Sequence, residues 1–168
     1  MLRDQSLIPL SRQHQHALAL CVRIDRASPI GESNVAGWLT EITQLFQTEI
    51  GIHFAAEEQV LFPVARRFNE LHSLIEELLA DHVDLREVVA KAEAHELSAA
   101  DLSGAAHRLS AHIRKEERHL FERLQELMNP EELAQLGKEL DNALKDATQA
   151  CTLPAKATRA HPPNRRIS

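Results

Sequence analysis

The fold of this chain is decided by a stretch that occurs twice, as His53-Phe54-Ala55-Ala56-Glu57-Glu58-Gln59-Val60-Leu61-Phe62 and as His112-Ile113-Arg114-Lys115-Glu116-Glu117-Arg118-His119-Leu120-Phe121. Both copies read His-x-x-x-Glu-Glu-x-x-Leu-Phe. In an α-helix, residues four apart lie on the same side and are separated by about 6 Å along the axis. Each copy can therefore direct one imidazole and one carboxylate at the same point.

The residues around each copy continue an amphipathic helical pattern. Apolar and motif residues recur at steps of three and four, the spacing of a buried helical face. They are Ile42, Phe46, Ile50, His53, Glu57 and Val60 in the first copy, and Leu102, Ala105, Leu109, His112, Glu116 and Leu120 in the second. Burying such a polar group without a partner costs roughly 2–7 kcal/mol, so each pair is expected to hydrogen-bond or bind a metal ion. A single pair would more often be an ordinary hydrogen bond, but two pairs on core faces favour a metal site.

Two lone histidines lie on the core faces of other predicted helices. His14 belongs to the apolar face of the first helix, whereas His16 lies about 160° away around the axis. His82 lies between Leu78 and Leu85 on the third helix. A lone histidine on an apolar face is more often a core residue than a ligand. The two motif pairs make the ligand interpretation the stronger one for His14 and His82.

The composition predicts one all-helical domain. The chain has 168 residues, five glycines, no tyrosine and a formal net charge of −6. That charge is mild and spread along the chain, which argues against binding to nucleic acid or to an anionic membrane surface. No apolar run approaches the ~20 residues of a membrane span, and no signal peptide is visible, so a cytoplasmic location is expected. Cys21 and Cys151 form no spaced motif and are interpreted as free thiols.

Four long helices with short connections predict an up-down-up-down four-helix bundle, followed by a short fifth helix and a flexible C-terminal tail. The helices are predicted from Pro9 to about Ala27, from Ser33 or Asn34 to about Arg67, from Glu70 to Ala94, from Asp101 to Met128 and from Pro130 to about Thr148. A kink is expected at Pro63. The corresponding units are a bundle over residues 7–128, an additional helix over 130–148 and a tail over 152–168, which is rich in proline and basic residues.

Each half of the bundle supplies one lone histidine and one His-x-x-x-Glu pair. The inward-facing set is His14, His53, Glu57, His82, His112 and Glu116. Carboxylates can bridge two cations while imidazoles complete each coordination sphere, so this set predicts a pseudo-twofold site for two metal ions. Four nitrogen donors and two carboxylates suit iron or manganese, and the lack of an inward thiolate cluster argues against a structural zinc site.

The chain resembles the hemerythrin-like proteins, specifically the bacterial single-domain type with the His-His-Glu cation-binding motif. The matching motifs are Leu10-Ser11-Arg12-Gln13-His14, His53-Phe54-Ala55-Ala56-Glu57-Glu58 with Leu61-Phe62-Pro63, Asp81-His82, and His112-Ile113-Arg114-Lys115-Glu116-Glu117. The resemblance implies a non-haem, oxo- or hydroxo-bridged di-iron centre that binds O2 or responds to peroxide or nitric oxide. It implies that the four histidines are terminal ligands and the two glutamates bridging ones.

The sequence also departs from the oxygen-carrying hemerythrins. Those proteins have a His-x-x-x-His pair on the third helix, whereas here Leu78 precedes His82 and Arg86 follows it. They place an aspartate five residues after the fourth-helix histidine, whereas here both Glu116 and Glu117 are available. These differences argue against reversible oxygen carriage. His119 lies near the core face and could add a ligand, although a solvated position suits it better; His72, His95, His107 and His161 fit no pattern and are expected at the surface.

Three functions remain open from the sequence. The first is a di-iron protein that binds or senses O2, peroxide or nitric oxide, or handles iron. The second is a di-iron enzyme that decomposes peroxide or acts as a ferroxidase. The third is a metal-free helical interaction domain whose inward polar residues bind one another. Trp38 and the fifth helix could either cover an apolar patch or form a homodimer contact.

Overall fold

The structure is a computed structural model that describes residues 2–152, and the side chains of residues 2–145. Those residues form five long helices and no strand, which confirms the all-helical prediction. None of these helices is both long enough and apolar enough to cross a lipid bilayer. The predicted tail lies outside the described residues from residue 153 onward.

The helices are numbered α1 to α5 in chain order. α1 spans Ile8–Arg26, α3 spans His72–Glu93 and α5 spans Pro130–Thr152. α2 is continuous through Glu32–Leu45, Phe46–Ile50, Gly51–Ala56, Glu57–Leu61 and Phe62–Ala65. α4 is continuous through Ala99–Lys115, Glu116–Phe121 and Glu122–Leu127. Short 3₁₀ turns at Gln5–Leu7 and Asn69–Leu71 lead into α1 and α3.

Three segments within α2 and α4 are π-helical rather than α-helical. They are Phe46–Ile50, Glu57–Leu61 and Glu116–Phe121. A π turn adds one residue to the helical turn and changes which later side chains face inward. The sequence-based analysis predicted a kink at Pro63 but no π turn. α2 continues past Pro63 to Ala65, directly after the second π segment.

The local sequence explains where α4 begins. The Ser98 hydroxyl accepts a hydrogen bond from the backbone N–H of Asp101, and the Asp101 carboxylate accepts one from the Ser98 backbone N–H. This reciprocal pair satisfies two backbone donors that the first turn of a helix leaves free. α4 therefore begins at Ala99, two residues before its predicted start.

The first four helices enclose a polar layer between apolar layers. Contacts link α1 to α2, α2 to α3, α3 to α4 and α4 to α1. On one side of the layer lies a large apolar cluster that includes Leu10, Leu61, Leu78 and Leu120. On the other side lies a smaller cluster formed by Ala17, Ile50, Phe54, Leu85 and Ile113. The six inward polar residues occupy helical positions between these two clusters.

The fifth helix covers the large apolar cluster. Leu133, Leu136 and Leu140 of α5 are buried in that cluster. α5 thus covers an apolar patch, which was one of the two roles considered for it, and it continues to Thr152, beyond the predicted end at residue 148. Trp38 is half-buried against a separate cluster, and the guanidinium of Arg23 lies 5.7 Å from its ring centre.

Candidate metal centre

The structure buries all six side chains that were predicted as ligands. None of them is more than 2% exposed; they are His14, His53, Glu57, His82, His112 and Glu116. α1 and α3 each contribute one histidine, and α2 and α4 each contribute a histidine and a glutamate one turn apart. The helical spacing in the sequence therefore converges on one polar layer.

Four of these side chains meet between α1, α2 and α4. His14 Nε2 lies 2.9 Å from His53 Nε2 and 3.1 Å from Glu116 Oε2. His53 Nε2 lies 3.1 Å from Glu57 Oε1. One donor atom from each of these four residues lies within 4.8 Å of the other three. We call this set the first position.

A second set of four meets between α2, α3 and α4. His82 Nε2 lies 3.4 Å from Glu57 Oε2, and His112 Nε2 lies 3.3 Å from Glu116 Oε2. Here too one donor atom from each residue lies within 4.8 Å of the other three. We call this set the second position. Glu57 and Glu116 belong to both positions, and the two oxygens of Glu57 point to different positions.

Six atoms at the centre have no hydrogen-bond partner although they are buried. They are both carboxylate oxygens of Glu57 and of Glu116, Nε2 of His82 and Nε2 of His112. A buried polar atom without a partner costs about 1–3 kcal/mol of stability. All four of these side chains belong to the two positions, so cations bound there would supply partners for them.

The distances between the donor atoms fit an ion of a first-row transition metal. Two donors that are each ~2.1 Å from one ion are at most ~4.2 Å apart. The donor atoms of each position already lie within 4.8 Å of one another. Shifts of a few tenths of an ångström would therefore bring four donors onto an ion at each position, and the donors present are two imidazoles and two carboxylates in both cases.

The electrostatics of the layer favour a positive charge at its centre. Burial, followed by the neighbouring Glu116, raises the pKa of Glu57 to about 7. Burial and the nearby His14 lower the pKa of His53 to about 3. Burial also opposes protonation of His14, but the close approach of the Glu116 carboxylate and the hydrogen bond to Glu117 outweigh that effect and raise the pKa of His14 to about 10. Two carboxylates at this depth repel each other unless cations neutralise them.

In each of the four histidines, Nδ1 is hydrogen-bonded to a residue that lies outside the two positions. Nδ1 lies 2.7 Å from Glu117 Oε1 in His14, 2.9 Å from Gln13 Oε1 in His53, 2.7 Å from Glu58 Oε1 in His82 and 3.3 Å from Asp81 Oδ2 in His112. All four partners are hydrogen-bond acceptors, so each Nδ1–H donates to its partner. Each Nε2 is thereby directed at the centre, where it can bind an ion once any proton on it has been displaced, and this is the arrangement found around metal-bound histidines.

The sequence predicted no role for these partners, apart from Glu117, which was a candidate ligand beside Glu116. Glu117 is not part of either position; it accepts from His14, from the Ser11 hydroxyl at 2.7 Å and from Arg3 at 2.6 Å. A signal was present, because each partner is the chain neighbour of a predicted ligand. It could not be interpreted from spacing alone, since each partner binds a histidine on a different helix.

Two further histidines stay away from the centre. His119 is exposed, whereas the neighbouring Leu120 is fully buried, as the spacing of the second copy predicted. His16 is also exposed and pairs with Glu49 at 2.8 Å. The preference for His14 over His16 agrees with these placements, and His119 is not placed to add a ligand.

Apolar groups surround the polar layer. The ring of Phe54 stacks on His82 with 3.7 Å between ring centres, and that of Phe121 stacks on His14 at 5.6 Å. Phe54 also lines an apolar cavity of about 40 Å³ that contains Cys21 in its wall. The polar layer is thus bordered by apolar groups, and an apolar space for a small uncharged molecule lies beside Phe54.

Comparison with known proteins agrees with this geometry. The family model of the hemerythrin HHE cation-binding domain matches residues 9–124, which include all six inward residues. No curated protein and no solved structure matched the chain. The family carries a cation site, and the buried histidine and glutamate clusters can hold metal ions. The chain therefore belongs to the hemerythrin HHE cation-binding domain family.

Proposed function

We propose that this protein is a non-haem di-iron protein that binds or senses O2, peroxide or nitric oxide, or handles iron. Its four enclosing helices would run in the up-down-up-down order of that family. The observation that carries this proposal is the pair of four-donor sets that share Glu57 and Glu116. Two carboxylates common to both sets can bridge two ions, and four imidazoles can complete the two coordination spheres.

The donor chemistry supports iron, with manganese as the alternative ion. Imidazole and carboxylate donors together suit both metals. Neither position contains a thiolate, which most structural zinc sites use. Four protein donors at an ion that prefers six ligands leave room for a small exogenous one. Bound iron would supply the redox chemistry that no side chain of the layer can supply.

The residues of the chain would control access and orientation. The outer partners hold each imidazole with Nε2 directed inward, and the rings of Phe54 and Phe121 cover two of the imidazoles. The apolar cavity beside Phe54 favours an uncharged diatomic ligand over an anion.

The proposal is tested by elemental analysis and an aerobic near-ultraviolet and visible spectrum on one untagged sample. We expect about two irons per chain from the two four-donor sets, with oxo-to-iron charge-transfer bands. The double variant His53→Ala, Glu57→Ala should lose both metal and bands. The matched control His16→Ala, Glu49→Ala removes a histidine–glutamate pair at the surface and should retain both. Absence of bound metal after anaerobic ferrous loading of the unmodified protein would refute the proposal.

A further inference from the structure

The outer partners of the histidines form a closed ring around the bundle. Gln13 of α1 holds His53 of α2, and Glu58 of α2 holds His82 of α3. Asp81 of α3 holds His112 of α4, and Glu117 of α4 holds His14 of α1. Each partner is the chain neighbour of its own helix's inward residue. Every helix therefore presents one or two groups to the centre and uses a residue adjacent in the chain to position the histidine of the following helix.

Three members of this ring are carboxylates, and each is paired with a cation. Glu117 is bound by Arg3 at 2.6 Å, and Glu58 by Arg86 at 2.7 Å. Asp81 is bound by Lys115 at 2.9 Å. Arg86 lies one turn after His82 on α3.

Gln13 is the exception in the ring. Its amide oxygen accepts the Nδ1–H of His53 at 2.9 Å, but the amide is neutral. A carboxylate acceptor draws the Nδ1 proton more strongly and makes the opposite nitrogen a better donor to a metal ion, whereas a neutral amide does so less. His53 is therefore the weakest imidazole donor of the four.

The exception affects only one of the two positions. The first position uses His53, which has an amide behind it, and His14, which has a carboxylate. The second position uses His82 and His112, which both have carboxylates behind them, although the Asp81 contact at 3.3 Å is the longer one. The inner donors are otherwise the same, since both positions use Glu57 and Glu116.

We propose that the ring makes the two ion positions unequal, with Gln13 as the positioning residue that sets the difference. The second position binds a divalent cation more tightly than the first and fills before it. Outer partners of metal-bound histidines typically change affinity by about 10–100-fold, and the long Asp81 contact places the expected difference at about tenfold. This inference rests on the proposed two-ion site.

The test is a calorimetric titration of the metal-free protein with Co²⁺ under anaerobic conditions. We expect two steps. Gln13→Glu gives His53 a carboxylate partner and should tighten the weaker step by about tenfold while leaving the tighter step unchanged. Glu58→Gln removes the carboxylate behind His82 and should weaken the tighter step. Gln59→Glu is the matched control, because it adds the same charge at an exposed position of α2 and should change neither step selectively.

A second measurement reports on His53 without depending on affinity. In the Zn²⁺-loaded protein, the Nδ1 proton of His53 should move downfield in the proton NMR spectrum of Gln13→Glu, because the new acceptor is charged. It should stay in place in Gln59→Glu. Two bound ions with steps that respond equally to Gln13→Glu and Gln59→Glu would overturn the inference but keep the two-ion site. Failure of the unmodified protein to bind any divalent ion would overturn both.

Discussion

Replacing Glu57 by leucine should stabilise the protein in the absence of metal. Both Glu57 oxygens are buried without a hydrogen-bond partner, and the side chain is 0% exposed. A buried polar group without a hydrogen-bond partner costs about 1–3 kcal/mol of stability, and an apolar residue of similar volume removes that cost. We expect the free energy of unfolding of metal-free Glu57→Leu to exceed that of the unmodified protein by an amount within that range. The reason is that leucine removes two unsatisfied oxygens and extends the neighbouring apolar cluster.

Bound metal should reverse the order of stability of Glu57→Leu and the unmodified protein. An ion that binds only the folded state at a free concentration of 100 times its Kd adds about 2.7 kcal/mol of stability. The unmodified protein gains this term at both positions, whereas Glu57→Leu lacks a donor that both positions share. The variant should therefore be the more stable protein without metal and the less stable one with it.

The assay is urea denaturation followed by circular dichroism, on chelator-treated samples and on samples loaded anaerobically with Fe²⁺. Leu78→Ala is the control, because Leu78 is fully buried one turn before His82 and its truncation should cost about 2–5 kcal/mol with or without metal. If Glu57→Leu weakens the metal-free protein as Leu78→Ala does, the Glu57 carboxylate stabilises the fold by itself and does not need a bound cation to do so.

Two further results are expected. Gly137→Ala should lower the free energy of unfolding by about 1–2 kcal/mol, because overpacking outweighs the helix propensity of alanine. A Cβ at Gly137 would lie 2.8 Å from Ser6 Cβ and 2.9 Å from Ser6 Cα. Gly104→Ala, which meets nothing within 4 Å, should instead raise it by about 0.4–1 kcal/mol in urea denaturation. In elemental analysis, His14→Ala should lower the iron content by about half, since imidazole donors are lost from one position only. His119→Ala should leave that content unchanged, and an equal loss in both variants would contradict the placement of His119 outside the site.

The sequence was sufficient to predict the burial of the six inward residues. A period of three to four residues specifies which side of a helix faces the core, and polar residues on that side must meet one another. The duplication of the His-x-x-x-Glu pair then placed two such sides in the same layer. His14 and His82 followed from the same argument, because each continues the apolar face of its own helix.

The π turns could not be predicted in the same way. A π turn has no distinctive local composition, and it shifts the inward face by one residue for everything that follows. Val60 was placed on the core face of α2 by an uninterrupted α-helical period. In the structure Leu61 is fully buried instead, and Val60 is half-buried. In α4 the prediction was correct in spite of the π turn, since Leu120 is buried and His119 is exposed.

The ring of outer partners also could not be predicted from the sequence. Its contacts join residues on different helices, such as Glu58 with His82 and Glu117 with His14. Helical spacing describes one helix at a time and does not give the rotation of neighbouring helices about their axes. The alternative between Glu116 and Glu117 needed that rotation, since both side chains lie within one turn of His112.

The two shared carboxylates have a consequence for the assembly of the protein. Each position draws donors from three helices, and both need Glu57 of α2 and Glu116 of α4. A chain still being synthesised therefore has neither position complete until α4 has emerged. In the folded protein the donor residues are enclosed, with none more than 2% exposed. A metal ion that enters the folded protein therefore requires transient separation of the helices, so the rate of metal uptake by the folded protein should report how often the bundle opens.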